Sequence, residues 1–225
     1  NWWSRSGTPD KMPPGEIGGP DTEVYYKFDE LEHTGKCTED KPISCECGKY
    51  LEIANSVFMQ YQKTENGFVE LPQKNVDYGG GLERIAAAVR GNDDVFLIDT
   101  IRPIIIELAA TSGKDYNDPE YQKSFRIVAD HARAATFMLG DGVLPSNTDQ
   151  GYVLRRLIRR AVRHLDRLGV GEGTLTKMAH LVTQNYSEHY PELAAGAHTT
   201  HEALREEEAR FRKTLASGIK EFSKL

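Results

Sequence analysis

Cysteine is scarce in this chain: three occur in 225 residues, all between positions 37 and 47. An odd number confined to one short stretch is a poor disulfide framework and fits a reducing compartment. Long apolar runs are missing as well. No segment approaches the roughly 20 residues that span a bilayer, and no signal peptide opens the chain, so the reading is a cytoplasmic protein without a membrane partner. An excess of positive charge is also absent. The net charge of −6 argues against indiscriminate nucleic-acid binding, although a net value hides local stripes. No internal repeat marks a solenoid. What remains, 39% hydrophobic and 28% charged residues, suits one large or two modest globular domains.

Punctuation and periodicity divide the chain. Gly and Pro crowd residues 7–20, predicting a loop, and residues 22–28 read as a strand before a polar loop over 29–49. An extended stretch over 50–63 leads to Asn66-Gly67, a hairpin signal, and residues 68–71 return. Pro72 is expected to break that strand, leaving a short last one at residues 75–77. Beyond Leu82 the period becomes helical, with segments near 82–90, 94–111, 119–139, 148–168, 172–188 and 199–222. The fold class is therefore α+β, an antiparallel sheet followed by an all-helical domain. The boundary is placed at Gly113-Lys114-Asp115, giving domains 1–113 and 114–225. The opening Asn1-Trp2-Trp3 lacks a methionine, and Leu204, Phe211, Leu215, Ile219 and Phe222 keep helical spacing with no cap. Both features suggest a piece of a longer polypeptide.

The segment Asp77-Tyr78-Gly79-Gly80-Gly81-Leu82-Glu83-Arg84 passes from strand through bare backbone into a helix. Glycines let main chain approach a ligand, helix-start N–H groups point at an anion, and a guanidinium grips phosphate oxygens. A glycine triplet alone is more often a plain turn; here Asp77 can meet a substrate ammonium group, and Asn55 lies on a neighbouring strand. Farther on, Arg155, Arg156, Arg159, Arg160, Arg163 and Arg167 occupy one face of the 148–168 helix, opposite an apolar stripe. That face suits a nucleic-acid backbone. The competing readings are a solvated face, or one paired with Glu202, Glu206, Glu207 and Glu208. Asn147 stands at the expected helix cap, where its amide either satisfies N–H groups or reaches a base edge. His131, inside a helical pattern, is read as a structural hydrogen-bonding residue rather than a base. His33, Cys37, Cys45 and Cys47 offer zinc-type ligands, but their spacing lacks Cys-x2-Cys knuckles, and plain thiols are preferred over a metal site.

Taken together these segments resemble the alanyl-tRNA synthetases, which are class II aminoacyl-tRNA synthetases. The resemblance is carried by Asn1-Trp2-Trp3, Gly19-Pro20-Asp21-Thr22-Glu23, Asn55-Ser56-Val57-Phe58-Met59-Gln60, and the glycine–arginine segment through Ile85. It continues through Arg126-Ile127-Val128-Ala129-Asp130-His131-Ala132-Arg133-Ala134, and through Asp141-Gly142-Val143-Leu144-Pro145-Ser146-Asn147 into Gly151-Tyr152-Val153-Leu154-Arg155-Arg156. The segments keep the family's order over most of residues 1–168.

The resemblance implies a partial class II antiparallel sheet carrying motif 3, with Arg84 on the ATP γ-phosphate and Gly79 and Gly81 beneath the adenylate. Asp77 would hold alanine's ammonium group, Asn55 its polar groups, and Trp3 would wall the side-chain pocket. The helical half would recognise the acceptor stem of tRNA(Ala), with Asn147 reading its G·U pair and Arg155, Arg156, Arg159, Arg160 and Arg163 holding the backbone. ATP and Mg²⁺ are implied as cosubstrate and cofactor of the parent enzyme. Its zinc would sit in an editing domain outside this chain. Motifs 1 and 2, with the α-phosphate arginine, would precede Asn1, and the second G·U-reading residue would follow Leu225, so the isolated chain is expected not to form the adenylate. Ala54 and Ser56 replace bulkier residues, and the loop over 8–18 departs from the family pattern. Two other classes stay open: a noncatalytic RNA acceptor-stem binding module, and an unrelated phosphate-binding protein.

Overall fold

The computed structural model describes residues 1–32, 38, 40, 41 and 47–224. They form two compact units, Asn1–Ile98 and Asp99–Leu225. Among the described residues no helix is long and apolar enough to cross a membrane.

The first unit is a four-stranded antiparallel sheet in the order β1-β2-β3-β4, made of Trp2–Ser4, Ile17–Lys27, Tyr50–Thr64 and Gly67–Gly80. β2 starts earlier than its apolar pattern predicts, because Ile17 and Gly18 already pair with Gln62 and Tyr61. The Gly-Pro stretch before it holds only a 3-10 turn at Pro9–Lys11. β1 has no periodicity to announce it in three residues; Trp2 anchors it by stacking on Tyr61 at 5.9 Å and meeting Phe68 edge-on at 5.4 Å.

The hairpin forms where expected, with Thr64 paired to Gly67 and Gly67 in the positive-φ region. Pro72 does not end β4. The ladder jumps from Tyr61↔Glu70 to Met59↔Asn75, so residues 71–74 bulge out and the proline's missing N–H costs no pairing. β4 is also an edge strand, where a proline is tolerated. The strand runs straight into helix α1, Leu82–Val89, whose Ala87 and Ala88 are buried.

The second unit is helical: α2 Arg102–Ser112, α3 Pro119–Gly140, α4 Asp149–Leu168, α5 Thr174–Tyr186, α6 Pro191–Ala195 and α7 Ala197–Phe222. The single helix expected over 94–111 is a 3-10 turn at Val95–Leu97 followed by α2, because Pro103 lies in the first turn of α2 and so marks a start. α2 buries Ile104, Ile105 and Leu108 and packs with α3 and α5, so it groups with the helices, on the far side of the division from the sheet. Asp118 caps α3 by accepting from Glu120 N–H at 2.9 Å, and Gly113 and Gly169 end α2 and α4 in the left-handed conformation. The core joins Phe125, Val128 and Ala132 of α3 to Leu154, Ile158 and Leu165 of α4, with Leu175 and Met178 of α5 and Leu204 of α7.

Candidate functional site

Regular pairing through the middle of the sheet fixes which side chains share a face. Asn55 lies opposite Gly79 and Glu23, and Val57 opposite Asp77 and Asp21. Since alternate residues point to the same side, Asn55, Val57 and Met59 of β3 share one face with Asp77 and Gly79 of β4 and Asp21 and Glu23 of β2. Trp3 and Met59 line one cavity, which puts the tryptophan beside the same face. The sheet thus brings Asn55 of β3 beside Asp77 and Gly79 of β4, with Trp3 of β1 next to Met59 on the same side.

The face is polar and open. Asn55 Nδ2 donates to Asp21 Oδ2 at 3.3 Å, and the Asp21 side chain is nearly buried at 8% exposure. Tyr25 O–H donates to Glu23 Oε2 at 2.6 Å. Burial first, and that carboxylate second, hold the tyrosine proton well above its ordinary range; the same hydroxyl feels the charges of Glu52 and Arg84. Arg84, half exposed in the first turn of α1, donates from Nη1 to the Glu52 carbonyl at 3.0 Å and lies 3.5 Å from Glu52 Oε2. Its guanidinium is therefore paired with the Glu52 carboxylate.

A Cβ added at Gly79 would meet nothing within 4 Å, so bare backbone there faces open space. One added at Gly81 would touch Arg84 Cδ at 3.1 Å, so that glycine leaves room for the arginine to pass. Asp21, Glu23 and Glu52 were missed as members of this face. Alternation along β2 could have found the first two, but Glu52 depends on the register shift between Val24 and Tyr25.

The arginine helix is partly neutralised. Glu207 of α7, 2% exposed, accepts from Arg159 Nε at 2.7 Å and lies 3.5 Å from Arg155 Nε. Neighbouring Glu208 accepts from Arg212 Nε at 2.9 Å. Pairing with acids of the last helix therefore accounts for Arg155 and Arg159. Arg156, Arg160, Arg163 and Arg167 form no ion pair among the described residues and stay exposed. Arg156 also lies over the Tyr152 ring.

Asn147 is not the cap. Thr148 is the N-cap of α4 and makes no side-chain cap bond, while exposed Asn147 accepts through Oδ1 from Arg155 Nη1. Because a guanidinium only donates, the amide oxygen takes this bond and the Nδ2 donors are not used by it. Buried His131 meets Asp130 Oδ2 through Nδ1 at 2.8 Å, in keeping with a structural hydrogen bond. Of the candidate zinc ligands, His33, Cys37 and Cys45 lie outside the described residues. Cys47 is a half-buried thiol, and among the described residues no group of three or more His, Cys, Asp or Glu side chains is placed to hold a metal.

Comparison with known proteins follows the same lines. The profile of the family described as tRNA synthetases class II (A) matches residues 1–225. The chain is similar to the Alanine--tRNA ligase of Borrelia garinii subsp. bavariensis, 44% identical over 211 residues, covering 92% of this chain and 35% of that protein. It is also similar to that of Thermotoga petrophila, 40% identical over 227 residues, covering 100% of this chain and 26% of that one. The same holds for Thermoanaerobacter sp. (strain X514), 40% identical over 210 residues, at 91% and 24%. The chain spans between 24% and 35% of the length of these curated relatives.

Proposed function

Since this chain belongs to the class II (A) tRNA synthetases, we propose that it is the motif 3 and tRNA-recognition part of an enzyme that activates alanine with ATP and transfers it to tRNA(Ala). The observation that carries the reading is the shared sheet face, where Asp77, Asn55 and Gly79 stand in register beside the strand-to-helix turn bearing Arg84.

On that face Asp77 meets the ammonium group of the amino acid, a charge-assisted contact that strengthens once substrate excludes water. Asn55, held by Asp21, presents its amide to the substrate's remaining polar groups. Trp3 and Met59 wall the cavity that receives the side chain. The adenylate lies along Gly79, where only a residue without Cβ lets a ligand reach the backbone, and Arg84 leaves Glu52 for the γ-phosphate. The amino-acid carboxylate attacks the α-phosphorus, the bond to the bridging oxygen breaks, and pyrophosphate leaves with the electron pair. The protein contributes positioning and charge stabilisation and no covalent nucleophile. Magnesium takes oxygen ligands from one or two carboxylates plus the nucleotide's phosphates. Glu23 and Glu52 fit that donor set, and the ion would neutralise charge on the phosphates.

In the helical unit the Nδ2 donor of Asn147 serves as the reader of the acceptor-stem G·U pair, and Arg156, Arg160 and Arg163 hold the backbone, with Arg155 orienting the reader. The test is calorimetric titration of the chain with a non-hydrolysable alanyl-adenylate analogue. Asp77→Asn should weaken binding about tenfold or more, and equal affinity of wild type and variant would overturn the assignment of the ammonium site.

A further inference from the structure

A second cavity, of about 420 Å³, lies in the helical unit, against α4. Its walls include Arg156, Arg160 and Arg163 of α4, His131 of α3 and Phe211 of α7. The three arginines carry charge without a carboxylate partner among the described residues. His131 is only 7% exposed, its Nδ1 is occupied by Asp130, and its Nε2 is buried with no hydrogen-bond partner. A buried polar nitrogen left without a partner is costly, and in a cavity lined by cations the group that satisfies it is an anion carrying oxygen.

We propose that this cavity is a phosphate-binding site, in which Arg160 and Arg163 supply the charge and His131 Nε2 the directed hydrogen bond that fixes the phosphate's place. With Asp130 accepting from Nδ1–H, Nε2 serves a phosphate oxygen as a donor when the imidazole carries a second proton, or accepts from a P–OH when it does not. The charged groups near the ring are Asp130 and Arg133 on α3 and Arg160, Arg163 and His164 on α4. The volume exceeds that of a phosphate alone, and the apolar walls at Val153, Leu157 and Phe211 leave room for the sugar or base that carries it. The source is an RNA backbone or a free nucleotide. Only the first of these rests on the function proposed above.

The experiment records the ring-nitrogen NMR signals of His131 in the full chain during titration with inorganic phosphate at about pH 7. Phosphate is expected to move the Nε2 signal, with Arg160→Gln and Arg163→Gln each weakening binding about tenfold. His131→Phe, which removes the ring nitrogen, should weaken phosphate binding as well. Ring signals indifferent to phosphate, or affinity unchanged in both arginine variants, would overturn the site even if the chain binds RNA. An acceptor-stem hairpin that displaces phosphate identifies RNA as the source. Displacement by AMP and not by the hairpin keeps the site and removes RNA from it.

Discussion

Gly79 separates structural from functional demand more cleanly than any charged residue in the chain. Its φ lies outside the left-handed region and a methyl there meets no atom, so Gly79→Ala should leave the melting temperature within about 1 °C of wild type. If a nucleotide lies along that backbone, the same methyl should weaken adenylate-analogue binding at least about tenfold. Unaltered binding would remove the ligand from that strand. Gly19 is the opposite case. A Cβ there would fall 1.7 Å from the Phe58 carbonyl oxygen, and Gly19→Ala should destabilise the sheet by more than about 2 kcal/mol in urea unfolding. Glu207 belongs with Gly19 in importance to the fold. Replacing it with Gln leaves Arg155 and Arg159 without their shared buried counter-charge, for an expected loss of about 3 kcal/mol. Relaxed orientation of Asn147 should accompany that loss, since Arg155 is the link between them.

Among the elements, α4 was legible almost to the residue and its surroundings were not. An apolar stripe and an arginine face are properties of local spacing, so they appear in sequence. Which arginines meet α7 depends on the rotation and depth of packing of two helices distant along the chain. The same limit explains β1 and the unbroken β4: three residues carry no period, and a bulge absorbs a proline only because β4 is at the edge. Packing also sets a pH response. His164, bonded to Ser124 Oγ at 3.0 Å, and His201 are both held below the ordinary histidine pKa, chiefly by burial and secondarily by nearby cations or histidines. Their folded forms bind fewer protons than the unfolded chain just below about pH 6.5, so stability should be level above that point and fall as the solution is acidified. Thermal melts at about pH 7.5 and about pH 5.5 check the sign; a rise on acidification would contradict the burial of both rings.

For the molecule as a whole, a net charge of −6 coexists with a helix face where Arg156, Arg160 and Arg163 form no ion pair among the described residues. The two do not conflict, because screening confines a charge's reach to about 10 Å at ordinary salt. Acceptor-stem RNA should therefore bind with a log–log salt slope of about −2 to −3, the value for roughly three neutralised phosphates. A slope near −5 would show that Arg155 and Arg159 abandon Glu207 for RNA. The division into Asn1–Ile98 and Asp99–Leu225 assigns α2 to the helices, whereas glycine punctuation alone suggests a later boundary. A turn marks where the chain bends, and a compact unit is defined by which apolar faces bury one another.

Local spacing alone was enough for the class α+β, the hairpin, the long helices, the glycine–arginine turn and, through the resemblance, the family. Each of these depends on residues a few positions apart. The company each side chain keeps required the folded chain. Register brings Asn55, Asp77 and Gly79 to one face with the unforeseen Asp21 and Glu23, and helix packing ties Arg155 and Arg159 to Glu207 while leaving Arg160, Arg163 and His131 around a cavity. Such contacts join residues far apart in the chain, and their energies depend on distances that no one-dimensional pattern contains.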